Sequence, residues 1–143
     1  TVVINATPEP AAGANLARQA DVLIVNESEA RELLGWGNDE DDWSAAASEL
    51  RERGPQTVVI TLGGDGVLVL GNREWRIPAP KVEVVDTTGA GDAFCGAFAA
   101  QIAQGATVER AAEVGVIAGA IAVTKAGAQP SQPYWSEIAA RLG

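Results

Sequence analysis

The segment Asp86-Thr-Thr-Gly-Ala-Gly-Asp-Ala-Phe94 leads from a short apolar run through a glycine-rich turn into a predicted helix. The backbone N–H groups of Gly89 to Gly91 are expected to lack partners at the helix start, and glycine lets an anion approach closely. Such a turn suits the charge that develops on a transferring phosphoryl group. Asp92 lies in the same turn, where it could accept a proton from an attacking hydroxyl. A tight strand-to-helix connection also accounts for the glycines, but not for two aspartates at this spacing.

Three apolar runs elsewhere in the chain lack the alternation of polar and apolar residues: Thr1–Asn5, Asp21–Asn26 and Thr57–Thr61. Strands buried on both faces of a parallel sheet have this pattern. The remaining predicted strands are a hairpin, Val67–Leu70 with Glu74–Ile77, and a short edge strand, Val82–Val85. The predicted helices are Gly13–Ala20, Glu27–Leu34, Trp43–Arg53, Gly89–Gln104, Val108–Thr124 and a last one ending at Leu142. This order indicates an α/β fold, which binds ligands at the carboxyl ends of its strands.

Composition excludes several classes of function. The chain has 143 residues, a net charge of -9 and no histidine. Nucleic acid and membrane partners are therefore not expected, and proton transfer near neutral pH falls to a carboxylate, a lysine or the single tyrosine. The single cysteine, Cys95, cannot form an internal disulfide, which favours a reducing compartment. The longest apolar stretch, around Val114 to Val123, is too short to cross a bilayer, so a soluble cytoplasmic protein is expected.

The segment from Asp86 to Phe94 resembles the carboxy-terminal signature of the ribokinase and phosphofructokinase-B family of carbohydrate kinases, and every residue fits the pattern. The resemblance is closest to ribokinase. It implies that Asp92 is the catalytic base that contacts the substrate hydroxyl, and that Gly89, Ala90 and Gly91 form an anion hole. It also implies ATP with Mg²⁺ and a small sugar as ligands, and a three-layer α/β/α sandwich with a mostly parallel sheet and a trailing antiparallel hairpin.

Two further segments resemble motifs of the same family. Asn26-Glu-Ser-Glu29 is similar to an Asn-x-x-Glu motif that helps to place magnesium and phosphate, although a helix N-cap at Asn26 explains the same residues. Thr61-Leu-Gly-Gly-Asp-Gly66 looks like the nucleotide loop, with a plain hairpin turn as the alternative. Val116 stands where relatives often carry asparagine or histidine near the adenine, or it simply faces inward. The nucleotide site implied by the resemblance comprises Asn26, Thr61, Leu62, Gly63, Gly64, Asp65, Gly66, Gly91, Asp92 and Val116.

The run from Ala122 to Ser131 is similar to a ribokinase loop that binds a monovalent cation together with the first aspartate of the signature. The resemblance implies a K⁺ site whose oxygen ligands come from Asp86, Thr88, Ala122, Lys125, Gly127 and Ser131. Oxygen ligands are what such a hard cation requires. A helix ended by Gly127 and Pro130 explains the glycine and the proline, but not the aspartate. A shared cation is expected to hold this loop beside the glycine turn.

Family members are about twice as long as this chain. The resemblance therefore implies that residues 1–143 are the carboxy-terminal nucleotide-binding and catalytic part of a kinase domain, without its amino-terminal half and lid. Three explanations stay open: a second chain supplies the amino-terminal half, this chain is a fragment, or the protein is a naturally shortened form that has kept only nucleotide binding. The expected activity is ATP-dependent phosphorylation of a sugar primary hydroxyl, with ribose as the expected sugar. The alternative is a nucleotide- or partner-binding module that is inactive alone. For the complete protein, a homodimer is also expected.

Overall fold

A computed structural model describes residues 1–6 and 15–142 of the chain. Its sheet contains β1 (Val3–Asn5), β2 (Val22–Asn26), β3 (Thr57–Thr61), β4 (Val67–Leu70) and β5 (Glu74–Ile77) in that spatial order. β1, β2 and β3 pair in parallel, and β4 runs antiparallel to β3. The four apolar residues of β2 and the three central residues of β3 are buried, as the unalternating pattern predicts.

Two compact units divide the chain, the first made of Thr1–Leu62 with Val67–Arg76 and the second of Gly63–Gly66 with Ile77–Gly143. In the first unit, α1 (Glu27–Leu34) and α2 (Trp43–Glu52) share a hydrophobic core with the strands. The small Ala30, Ala46 and Ala47 of these helices are completely buried, so the helices can approach the sheet closely. Of the predicted helix Gly13–Ala20, residues 15–17 are helical, and its first two residues lie outside the described part of the chain.

The second unit is helical, with α3 (Ala90–Ala103), α4 (Val108–Ala122) and α5 (Trp135–Leu142). Small residues allow α3 and α4 to pack closely: a Cβ atom on Gly115 would lie 2.8 Å from the ring of Phe94, and one on Gly119 would lie 3.4 Å from the Ala90 carbonyl oxygen. Ala93, Val114 and Ile138 belong to a buried cluster shared by the three helices. None of the helices in residues 1–6 and 15–142 has the length and apolarity needed to cross a bilayer.

The predicted edge strand at Val82–Val85 is wrong. These residues are irregular, and 60% of the surface of both Val84 and Val85 is exposed. The Val85 N–H donates to the carbonyl of Val123 at 2.7 Å, immediately after α4, and the Asp86 N–H donates to the same oxygen at 3.1 Å. The backbone of this segment therefore caps a helix end instead of joining a strand ladder.

Candidate active site

The glycine-rich turn starts α3 without a side-chain cap. Gly89 is the N-cap residue and has a left-handed φ of 81°, which glycine adopts without steric penalty. The N–H groups of Gly89 and Gly91 have no acceptor among the described residues, as predicted from the sequence. The prediction is wrong for Ala90, whose N–H donates to the Thr87 carbonyl at a long 3.3 Å. This weak bond closes a tight turn, and an incoming anion could compete for the donor.

The two aspartates of the turn have different environments. Asp92 is exposed in the first turn of α3, where its carboxylate is accessible to a ligand. Asp86 instead accepts from backbone donors with both oxygens: Oδ1 from the Thr88 N–H and Oδ2 from the Gly127 N–H, each at 2.9 Å. Hydrogen bonds from the Thr88 side chain, the Thr88 N–H and the Gly127 N–H lower the pKa of Asp86 to about 2. Asp86 is therefore a charged structural link between two loops, whereas Asp92 is available for chemistry.

The loop around Ser131 lies directly against the glycine turn. The bond between Asp86 and Gly127 joins residues that are 41 positions apart, and the Gln132 side chain donates to the Gly89 carbonyl oxygen at 3.2 Å. A Cβ atom added to Gly89 would lie 3.1 Å from the Cα atom of Ala128, so a larger residue there would require the loop to shift by a few tenths of an ångström. These contacts hold the loop in place by themselves. That a shared cation also holds the loop there stays a prediction.

The residues predicted to bind a cation fit such an ion in their chemistry. Ser131 is completely buried and its Oγ donates to the Ala128 carbonyl at 2.7 Å, which leaves the lone pairs of the hydroxyl oxygen available. The Ala122 carbonyl accepts from the Lys125 N–H at 3.1 Å and keeps a second lone pair. The structure brings Asp86, Thr88 and Gly127 into direct hydrogen-bond contact. The Lys125 ammonium is paired with Glu137 at 2.7 Å, so this residue would contribute only its carbonyl.

Asn26 and Glu29 form a complete capping box at the start of α1. Asn26 Oδ1 accepts from the Glu29 N–H, and Glu29 Oε2 accepts from the Asn26 N–H, both at 2.8 Å. Burial raises the pKa of Glu29, the hydrogen bond from the Asn26 backbone opposes this shift, and the charge of Glu32 adds to it. The helix-cap explanation of these residues is therefore correct, and Glu29 Oε1 has no hydrogen-bond partner in the part of the chain that the structure describes. One such oxygen suits magnesium that is held mainly by phosphates and water.

The predicted nucleotide loop follows β3 at the same sheet edge as Asn26, because Asn26 and Thr61 are register partners in the parallel pair. The Thr61 hydroxyl donates to the Val25 carbonyl at 3.5 Å. Gly63–Asp65 form a short 3-10 turn whose three residues are exposed, so their backbone is accessible to a ligand. The turn connects the antiparallel strands β3 and β4, so it is also a hairpin turn.

Other predicted positions of the nucleotide site are less accessible. Leu62 is half-buried and packs on the core of the first unit. Val116 is buried within α4, which agrees with an inward-facing helix residue. One residue was not predicted at all: Gln132, which contacts the turn through its side chain. A glutamine between Ser131 and Pro133 carries no sequence signal for such a contact, because the turn is 43 residues away in the chain.

Comparison with known proteins shows the family of this chain. The sequence model of the pfkB family of carbohydrate kinases matches residues 1–135. The chain belongs to the pfkB family of carbohydrate kinases. It is 39% identical over 138 residues to a ribokinase of Haemophilus influenzae, covering 95% of this chain and 45% of the relative.

Two solved pfkB-family structures show the same fold. A ribokinase from Thermotoga maritima superposes with a TM-score of 0.87 at 36% identity, over 99% of this chain and 48% of that chain. An aminoimidazole riboside kinase from Salmonella enterica, complexed with its riboside and an ATP analog, also gives a TM-score of 0.87, at 30% identity over 99% of this chain and 52% of the other. The prediction of a partial ribokinase-like α/β fold is therefore confirmed. The chain spans about half the length of these pfkB-family relatives.

Proposed function

We propose that residues 1–143 are the carboxy-terminal nucleotide-binding and catalytic part of a sugar kinase. The complete kinase transfers the γ-phosphoryl group of ATP to a primary hydroxyl of the sugar. The proposed sugar is ribose, and the product is ribose 5-phosphate. The observation that carries the proposal is the helix start at Gly89–Asp92, where free backbone donors and an exposed carboxylate occur within one turn. The related ribokinase and the riboside kinase bound to an ATP analog support the reaction class.

In this proposal, Asp92 accepts the proton of the sugar hydroxyl as its oxygen attacks phosphorus. The N–H groups of Gly89, Ala90 and Gly91 donate hydrogen bonds that stabilise the negative charge developing on the transferring phosphoryl oxygens. Ala90 can do so by giving up its long bond to Thr87. The bond between the γ-phosphorus and the β-γ bridging oxygen breaks, and ADP leaves. The loop from Thr61 to Gly66 and Val116 on α4 are proposed to contact the nucleotide.

Two metal ions belong to the proposal. Magnesium, when bound, would neutralise phosphate charge, and Asn26 with Glu29 would orient it through the remaining carboxylate oxygen. Potassium is proposed at the oxygen donors around Asp86 and Ser131. Activity should therefore be higher in potassium than in a large organic cation such as tetramethylammonium, and Asp86→Ala should remove the difference. Equal activity of the unsubstituted protein in both salts would eliminate the potassium site.

The rest of the sugar site is proposed to come from the part of the kinase that this chain lacks, within the same polypeptide or a second one. A homodimer of the complete protein is part of the proposal. The cytoplasm is proposed as the compartment because the chain has a single cysteine, Cys95, and no internal disulfide.

Substitution of Asp92 tests the proposal in the complete kinase. Asp92→Asn should lower kcat with ribose about 10²–10⁴-fold, because a positioned general base contributes that much, while the affinity for ATP changes little. Asp39→Asn is a matched control, since Asp39 is an exposed aspartate outside the proposed site. Near-normal turnover of Asp92→Asn would show that this carboxylate is not the base. ATP binding without sugar-dependent turnover in the unsubstituted complete protein would favour the alternative of a nucleotide-binding module.

A further inference from the structure

Gln132 connects the Ser131 loop to the glycine turn through two hydrogen bonds. Its Nε2 donates to the Gly89 carbonyl at 3.2 Å and to the Ala128 carbonyl at 3.3 Å. Both neighbours are acceptors, so the amide must present its nitrogen to them, with one N–H for each oxygen. Without this donor, each carbonyl oxygen would keep one other partner, the Ala93 N–H for Gly89 and the Ser131 hydroxyl for Ala128, but the side-chain link between the two loops would be lost.

The Gly89 carbonyl belongs to the same peptide group as the Ala90 N–H. Because a peptide group is planar, fixing the direction of its oxygen also fixes the direction of its N–H. The Gly89 oxygen accepts both the first helical bond, from the Ala93 N–H at 2.9 Å, and the bond from Gln132. On the other side of the group, the one acceptor of the Ala90 N–H within residues 1–6 and 15–142 is the Thr87 carbonyl, at 3.3 Å.

We infer that Gln132 is a positioning residue for phosphoryl transfer: it orients the Gly89–Ala90 peptide group so that the Ala90 N–H faces the charge that develops on the phosphoryl group. The inference rests on the proposed function, to which it adds a residue. Gln132 touches neither substrate nor nucleotide in this role and acts through the backbone. With the Gly89 oxygen held by Gln132, the change needed at this peptide group is limited to the exchange of the long Thr87 bond for the anion at the Ala90 N–H, and a small reorganisation favours catalysis.

Two substitutions of Gln132 in the complete kinase separate this role from simple packing. Gln132→Met has nearly the same size and shape but no donor, so kcat should fall about tenfold, which is less than the 10²–10³ lost when an oxyanion donor is removed completely. The KM for ATP should stay within about twofold, because a donor that acts mainly in the transition state affects kcat more than ground-state binding. Gln132→Lys keeps N–H donors at a similar reach, and its kcat should stay within about threefold of the unsubstituted protein.

Ligand binding gives a second readout that does not depend on turnover. Gln132→Met should bind ADP normally but should bind ADP with aluminium fluoride, which mimics the transferring phosphoryl group, about tenfold more weakly. Thermal unfolding of each variant checks that it is folded. If Asp92→Asn loses turnover while Gln132→Met keeps its kcat and its aluminium fluoride affinity, the positioning role is wrong and the proposed function stands. If Asp92→Asn keeps its turnover, both inferences fail.

Discussion

The loop after β3 contains three glycines with different surroundings. Replacing each of them by alanine tests the backbone geometry of this loop. Gly66 is buried with a φ of +94°, and a Cβ atom there would lie 2.0 Å from the Ile77 carbonyl oxygen and 2.6 Å from the Ala79 nitrogen. Both obstacles are backbone atoms, so no side-chain rotation can relieve the contact. Gly63 has a φ of +54° with open space around it, and Gly64 has open space and no positive φ.

Gly66→Ala should therefore destabilise the fold strongly. An alanine in the left-handed region costs about 1–2 kcal/mol, and overpacking adds about 1–3 kcal/mol. The expected loss is about 2–5 kcal/mol in the free energy of unfolding. With a urea m value of about 2 kcal/mol/M, the midpoint of unfolding should fall by about 1–2.5 M.

The other two glycines provide matched controls in the same loop. Gly63→Ala should lower the free energy of unfolding only by the cost of a left-handed alanine, about 1–2 kcal/mol. For Gly64→Ala, the free energy of unfolding should stay within about 0.5 kcal/mol of that of the unsubstituted protein. Urea unfolding followed by tryptophan fluorescence and by circular dichroism measures all three variants. If Gly66→Ala unfolds at the same urea concentration as Gly64→Ala, the loop geometry described above is incorrect.

Three other outcomes follow from individual contacts. The pKa of Asp86 is lowered to about 2 from an unfolded value near 3.8, so the stabilisation by its carboxylate is present above pH 4 and is lost as the pH falls toward 2. In a series of unfolding midpoints measured from about pH 5 to about pH 2, Asp86→Asn should therefore lose less stability on acidification than the unsubstituted protein. Asn26→Ala removes the cap of α1 and should cost about 1 kcal/mol of unfolding free energy, and a change no larger than that of the exposed control Asn72→Ala would argue against the capping box. Trp75 Nε1 is buried without a partner in the described part of the chain, and the Arg73 guanidinium lies 4.9 Å from the centre of the Trp75 ring. Trp75→Phe keeps a ring for that contact, so the thermal midpoint should stay unchanged or rise; a clear drop would show that the packing of the larger indole outweighs its unpaired N–H.

Local pattern was sufficient to predict most of the fold. The apolar runs of β2 and β3 are buried on both faces, so the absence of alternation identified them correctly. The predicted edge strand at Val82–Val85 does not form, because an apolar β-branched run becomes a strand only when a partner strand is available. There, the N–H of Val85 bonds to the end of α4 instead.

For the candidate site, the sequence could propose residues but not the contacts between them. The motif around Gly89 is contiguous in sequence, and the structure places Asp92 on the first helical turn as expected. The links of Asp86 to Gly127 and of Gln132 to Gly89 each join residues more than 40 positions apart, and no local pattern encodes such contacts. For Asn26 and Glu29, the helix-cap and magnesium hypotheses use the same side chains, so the pattern alone could not separate them.

In the proposed kinase, this chain provides the ATP site, the anion hole and the base, while the rest of the kinase orients the sugar. Holding the reactants in the correct orientation lowers the activation free energy of such a reaction by about 7–11 kcal/mol. The chain alone should therefore transfer the phosphoryl group to ribose far too slowly for a kinase. The direct measurement follows the γ-phosphoryl group of isotope-labelled ATP, with the purified chain alone and after mixing with the separately expressed remainder of the complete protein. Ribose-dependent transfer is expected only in the mixture. Ribose-dependent transfer by the chain alone at about 1–100 s⁻¹, the usual range for kinases, would contradict it.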